Sequence, residues 1–247
     1  MKLRIQFTKH GSMKFIGHLD TMRYFQKAIR RSGIDVTYTG GYSPHQVMAF
    51  AHPLGVGVES DSEIMDIEVG SFDLIGGPDA GKNTIGNERE CLLKALNDQM
   101  SEGFTIRDIR LLPDDAGNAM ASVAAASYEI YGLPADKYDV IVDAIDQIMS
   151  ADEVMIMKKT KKSEQLVDIR PGLYELGIRD GVLCMRVDAS SAGNIKPDTV
   201  VKTLCEKSNT DPETFSYTVT RTEIYGREKN GELKPLIEFG FKTDWLT

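Results

Sequence analysis

The 247 residues include 37 Asp+Glu against 29 Lys+Arg, for a net charge of −8, with 41% hydrophobic and 27% charged residues. Such fractions describe a globular chain with core enough for one large domain or two small ones, and exclude low-complexity and membrane-embedded classes. No run reaches the ~18 consecutive apolar residues of a spanning helix. Three scattered cysteines (Cys91, Cys184, Cys205) without a CxxC pair argue against disulfides, zinc or an iron–sulfur cluster, and for a reducing cytoplasm.

From the N-terminus, "KLRIQF" alternates and predicts a strand rather than a signal peptide, and "GHLDTMRYFQKAIRRSG" predicts a helix. Leu19, Met22, Phe25 or Gln26, and Ile29 recur on one side of it, and Gly33 is the natural stop. Arg23, Lys27, Arg30 and Arg31 form a basic stripe on the other side, beginning beside Asp20. A loop, "TGGYSPH", leads into the strand "QVMAFAHPL"; "SEIMDIEV" alternates as a second strand. "NERECLLKALNDQM" predicts a helix opened by an Asn87/Glu90 capping box, and "GFTIRDIRLL" a strand. The order is β-α-β-β-α-β.

"PDDAGN" reads as a hinge. Beyond it the spacing predicts a strand in "ASVAAASYEIYG", a helix in "ADKYDVIVDAIDQIM" and a strand in "EVMIMKK". Next come a strand and a hairpin turning at Arg179-Asp180-Gly181, the helix "PDTVVKTLCEK", the strand "FSYTVTRTEIYG", and a hairpin turning at Asn230-Gly231. The fold class expected is α+β: two tandem ferredoxin-like units with antiparallel sheets, 1–113 and 119–247, the second carrying the extra hairpin.

Charge is unevenly distributed. Residues 1–52 hold eight Lys/Arg against Asp20 and Asp35, a local +6, and all four histidines. A basic face on an acidic protein is an anion-seeking surface that leaves the molecule soluble. Lys14, Arg23, Lys27, Arg30 and Arg31 are candidate phosphate contacts, equally well read as a solvated helix face, and Tyr42 with His45 would touch a base. A second basic cluster, Lys158, Lys161, Lys162 and Arg170, lies in "KKTKKSEQLVDIRPG". His18, Asp20 and His45 are the candidates for direct chemistry, since histidine titrates unaided near neutrality. His18 and Asp20, two residues apart, point in opposite directions on a helix and do not chelate together; no metal or other cofactor is expected. "GGPDAGKNT" (76–84) mimics a phosphate loop, but Asn83 replaces the Ser/Thr that would hold magnesium, and the helix starts too late to cradle phosphates.

The stretch from Phe7 to Val69 resembles the bacterial radical-SAM-linked family, a domain of unknown function. The resemblance rests on Phe7, Lys9, Gly11, Phe15, His18, Leu19, Asp20, Arg23, Arg30, Arg31, Tyr42, Pro44, His45, Pro53, Leu54, Gly55, Gly57, Ser60 and Glu63, and on a second motif at Lys158, Lys161, Asp168, Arg170 and Pro171. Gln46 departs from it, as does the glycine-rich 70–86 segment. It implies a partner encoded beside or fused to the chain, a radical SAM protein, because this chain has no CxxxCxxC for the [4Fe–4S] cluster. The leading expectation is therefore an accessory protein that binds tRNA or rRNA, with no membrane or DNA role, and presents it to that partner. A second is a metal-independent ribonuclease or RNA-modifying enzyme using His18 or His45, by analogy with repeat-processing CRISPR endoribonucleases. A third is a protein-interaction module that binds no RNA.

Overall fold

The computed structural model describes residues 1–71, 88–159 and 164–242. The glycine-rich stretch 76–84, the cap residue Asn87, and Lys161 and Lys162 lie outside the described residues. The protein is α+β with mostly antiparallel strands, and it divides into two units: Met1–Val123 with Glu223–Thr247, and Ala124–Thr222.

The first unit runs β1 (Lys2–Lys9), α1 (His18–Ser32), β2 (Met48–Phe50), β3 (Glu59–Glu68), α2 (Glu88–Asn97) and β4 (Phe104–Leu111). Its strands lie in the order β4-β1-β3-β2, all antiparallel, with Ile5 opposite Met65 on one side and Ile109 on the other. Period-2 alternation sends Leu3, Ile5 and Phe7 to the helix-covered face and Arg4 to the opposite one. Phe7 meets Phe25 of α1 at 4.4 Å between ring centroids, and Phe104 lies 5.3 Å from Phe25. With Ile29, Leu92 and Leu96, these fully or nearly fully buried side chains make the core, each worth roughly 1.5–3 kcal/mol of burial. α1 starts after Gly17 without a side-chain cap and stops at Gly33, whose φ of 78° is left-handed.

The second unit runs β5 (Ala125–Tyr131), α3 (Tyr138–Ser150), β6 (Met155–Lys159), β7 (Glu164–Asp168), β8 (Leu173–Arg179), β9 (Val182–Asp188), α4 (Pro197–Lys207) and the first half of β10 (Thr218–Arg227), whose residues from Glu223 on belong to the first unit. The strand order is β10-β5-β9-β8, while β6 and β7 pair only with each other as a separate ribbon. The predicted turn between β8 and β9 is present, with positive φ at Asp180 and Gly181. Ile141, Ile145, Ile148, Leu183, Val187 and Leu204 are buried.

The sequence places everything after 119 in the second half; the structure returns residues from Glu223 onward to the first unit. Two interactions explain it. The carbonyl of Leu236, on the 3-10 turn Leu236–Phe239, accepts from Arg4 Nη1 at 3.0 Å, and Phe241 bridges Leu111. The Asn-Gly turn does form a hairpin, between β10 and β11 (Leu233–Pro235). "QVMAFAHPL" yields only the three residues of β2.

Candidate functional site

The basic stripe and the "TGGYSPH" loop both belong to the first unit, and hydrogen bonds join the base of the loop to α1. Arg23, Lys27 and Arg30 stand at i, i+4 and i+7 on α1, and all three are exposed. Residues 37–47 form a small hairpin through a Tyr38–Gln46 bridge, with Thr39 N–H donating to the His45 carbonyl at 2.8 Å. Its tip carries Tyr42, fully exposed, and His45, whose Nδ1 is 3.1 Å from Thr39 Oγ1.

Gln46 sets the position of this hairpin. Its side chain is buried, and Nε2 donates to the carbonyl of Gln26 on α1 at 3.1 Å and to the Tyr38 hydroxyl at 3.5 Å. That hydrogen bond, and next one from Arg30, hold the Tyr38 phenol below its ordinary value of 10.0. Thus the base of the hairpin is joined to the helix at Gln26, Gln46, Tyr38 and Arg30. Sequence reasoning missed Gln46; a polar residue in the middle of a loop carries no burial signal.

Not every predicted phosphate contact belongs to this surface. Lys14 Nζ is 3.0 Å from Glu59 Oε1. His10 completes that cluster, its Nδ1 3.3 Å from Glu59 and its Nε2 3.0 Å from Asp61. The hydrogen bond from Lys14 holds the Glu59 carboxyl below 4.5; burial works against it, and His10 adds to it. Arg31 donates to the side chain and carbonyl of Gln99, both at 3.2 Å, and so fastens the end of α1 to the segment after α2. In the second unit, Arg170 donates to the carbonyls of Leu173 and Met149, the latter in the last turn of α3, a C-terminal capping role. Lys158 is exposed at the end of β6, 3.4 Å from the Gly193 carbonyl.

The direct-chemistry candidates separate. Asp20 is exposed and 3.4 Å from Arg23, so it does not cap the helix. His18 instead lies edge-on to Phe50, ring centroids 5.1 Å apart. It helps line a small cleft where Lys9, Thr21 and Glu63 provide the polar wall and Phe50, Pro53 and Leu54 the apolar one. The cleft holds about 10 Å3, room for one water. Lys9 and Glu63 are both nearly fully buried, and Lys9 Nζ donates to the Ile16 carbonyl at 2.8 Å. Six of these seven residues are ones the family resemblance quotes or neighbours within one position. Among the described residues no group of three or more His, Cys, Asp or Glu is arranged to hold a metal ion.

The family described as "Uncharacterized protein conserved in bacteria (DUF2344)" matches residues 2–197. The chain belongs to this family. The match covers the α1 surface, the cleft and the β6–β7 ribbon of this DUF2344 member. No curated protein matches it. A solved structure titled "Crystal Structure of a Cbf5-Nop10-Gar1 Complex" is similar at 9% identity and a TM-score of 0.49, with 90% of this chain and 48% of that chain covered. The chain thus spans about half the length of that neighbour. No helix among the described residues is long and apolar enough to cross a membrane.

Proposed function

We propose that the first unit is an RNA-contacting module that presents tRNA or rRNA to a radical SAM partner, the exposed α1 face meeting phosphates and the 37–47 hairpin meeting a base. One observation carries this reading: a helix with three exposed cations at one-turn spacing is fixed through Gln46 to a hairpin that bears a fully exposed tyrosine. Guanidinium and ammonium groups displace counterions from a phosphate backbone, and an aromatic face stacks on an unpaired base of any identity. The partner is inferred from the motif resemblance at Phe7–Glu63. The β4-β1-β3-β2 and β10-β5-β9-β8 strand orders support reading each unit as ferredoxin-like.

Filter binding of labelled single-stranded RNA over a range of salt concentrations tests the module. Each lost phosphate contact reduces the slope of log affinity against log salt by about 0.7, so Arg23→Ala/Lys27→Ala/Arg30→Ala should flatten it by roughly 2. Absence of binding at low salt, or an unchanged slope in the triple variant, overturns the reading.

The cleft supports a second reading, in which His18 acts on RNA with Lys9 and Glu63 close by. Metal-free cleavage or modification of labelled RNA in EDTA, abolished by His18→Ala or by His45→Ala, would favour it; intact RNA with retained binding would leave the binding module.

A further inference from the structure

Two helices of the chain carry exposed faces of opposite charge in the same spacing. In the second unit, Asp139, Asp143 and Asp146 stand at i, i+4 and i+7 along α3, all exposed, and α3 contains no lysine or arginine. In the first unit, Arg23, Lys27 and Arg30 stand at i, i+4 and i+7 along α1, also exposed. We propose that α3 of one copy of this chain docks on α1 of a second copy, carboxylates against cations.

The acidic face is costly to the helix that bears it. Asp139 and Asp143 are neighbours at i,i+4, and Asp143 and Asp146 at i,i+3, where like charges repel. Asp139 sits in the first turn, where the helix dipole favours it. Asp146 lies toward the opposite end, where a cation is favoured, and the last turn holds none. Lys137, just before the helix, is 3.9 Å from Asp136 instead. Among the described residues the carboxylates of Asp139, Asp143 and Asp146 make no hydrogen bond or ion pair, so no described group offsets their repulsion. Cations supplied from outside would.

Apolar side chains stand among these charges. Val140 and Val142 are both exposed, and Val142, three residues after Asp139 and four before Asp146, shares their side of α3. On α1, Leu19 is exposed one turn before Arg23. Apolar groups flanked by opposite charges make a helix pair specific, as at the seam of a coiled coil with its charged flanks.

A second copy fits this face because the chain itself supplies the complementary one, with intervals of four and then three residues on both helices. The contacts already made by the cations do not compete strongly. Arg23 has exposed Asp20 at 3.4 Å, and Arg30 meets the Tyr38 hydroxyl. An exposed pair of this kind contributes little, and each guanidinium has five N–H donors. A single helix pair buries less than a standard interface, so the association is weak and salt-sensitive. It is also heterologous, with an acidic face meeting a basic one.

Sedimentation of the full chain without RNA, over a wide concentration range, tests this. At low salt the weight-average mass should rise above the monomer with concentration, and added salt should reverse the rise. Asp139→Lys/Asp143→Lys/Asp146→Lys should weaken association at least about tenfold, as should Arg23→Glu/Lys27→Glu/Arg30→Glu, because each sets like charges against each other. Mixing the two variants should restore it, since the unaltered α1 of one then meets the unaltered α3 of the other. Each set of reversals changes the chain's −8 by six, so both variants stay net negative and bulk attraction does not explain a mixed complex. Asp114→Lys/Asp115→Lys, at exposed positions elsewhere, should leave association unchanged. A monomer at every concentration, association that survives either triple reversal, or a mixture that stays monomeric each overturns the proposal. The same three cations are the phosphate contacts proposed above, so RNA and a second copy would exclude each other; because no RNA enters the measurement, its failure leaves the RNA reading standing.

Discussion

The two units solve the same packing problem with different interiors. Among the described residues, the buried charged side chains of the first unit are Arg4, Lys9, Glu63, Asp66, Glu88 and Asp108, whereas the second buries Arg221 with Thr203 and Thr210. Buried charge must be paired or hydrogen-bonded, and even a well-paired buried ion pair is often no more stabilising than apolar residues of the same volume. Stability alone therefore does not account for the polar interior of the first unit. Two of its charges, Lys9 and Glu63, line the His18 cleft, and a third, Arg4, lines a cavity of about 170 Å3 beside Leu236 and Phe239. Half of the six buried charges of the first unit thus line a cleft or a cavity.

Breaking the Arg4–Asp66 pair should give the largest effect. Asp66→Ala leaves a guanidinium buried without its carboxylate and should destabilise the protein by about 3–5 kcal/mol in urea unfolding. Arg4→Met/Asp66→Leu should recover most of that loss, because the desolvation cost disappears with both charges. Thr203→Val in the second unit should cost about 1 kcal/mol or less, since the Thr203 hydroxyl donates only to the Thr199 carbonyl of its own helix. If Asp66→Ala costs no more than Thr203→Val, the contrast between the interiors fails.

Two glycines test whether the units are equally strict in backbone packing. Gly103 in the first unit has φ 95°, and a Cβ there would lie 2.5 Å from the His10 carbonyl oxygen; Gly132 in the second has φ 98°, with the Ser216 carbonyl oxygen at 2.6 Å. Gly103→Ala and Gly132→Ala should each destabilise by about 1–3 kcal/mol or more. Similar losses would confine the difference between the units to polarity; one tolerant site would extend it to packing.

Much of the fold was legible because apolar periodicity reports directly on burial. The alternation of Leu3, Ile5 and Phe7, the Gly33 stop and the Asp180-Gly181 turn all stand where the pattern predicts. Leu19 does not: it continues the apolar stripe of α1 in sequence but is exposed. Long-range partners were equally invisible. Arg4 reads as an ordinary strand cation, and only the pairing of β1 with β3 reveals Asp66 directly opposite it. The same limit applies to the site. Exposure of Arg23, Lys27 and Arg30 follows from helical spacing, but the uses of Lys14, Arg31 and Arg170 depend on residues 45, 68 and 21 positions away, respectively. The return of the chain after Glu223 to the first unit is set by tertiary contacts, which no local signal encodes.

The smallest expected effects come from two carboxylates of the first unit with opposite pH behaviour. Burial raises the Glu223 carboxyl above 4.5, although the Ser62 hydroxyl and the Ile224 N–H both donate to it. The folded state then holds this proton more tightly than the unfolded chain, so the stability it contributes is present below the unfolded value and is lost as pH rises through the raised one. Glu223→Gln should accordingly be more stable than the wild type near neutral pH, by about 1 kcal/mol or less, with the gain disappearing in acid. Glu59 is depressed by Lys14, so its stabilisation is present above 4.5 and is lost as pH falls through the lowered value. Glu59→Gln should therefore lose stability near neutral pH and match the wild type in acid. Urea midpoints measured across that range separate the two signs. If both substitutions shift stability in the same direction at neutral pH, the half-buried Glu223 and the ion-paired Glu59 are not electrostatically distinct.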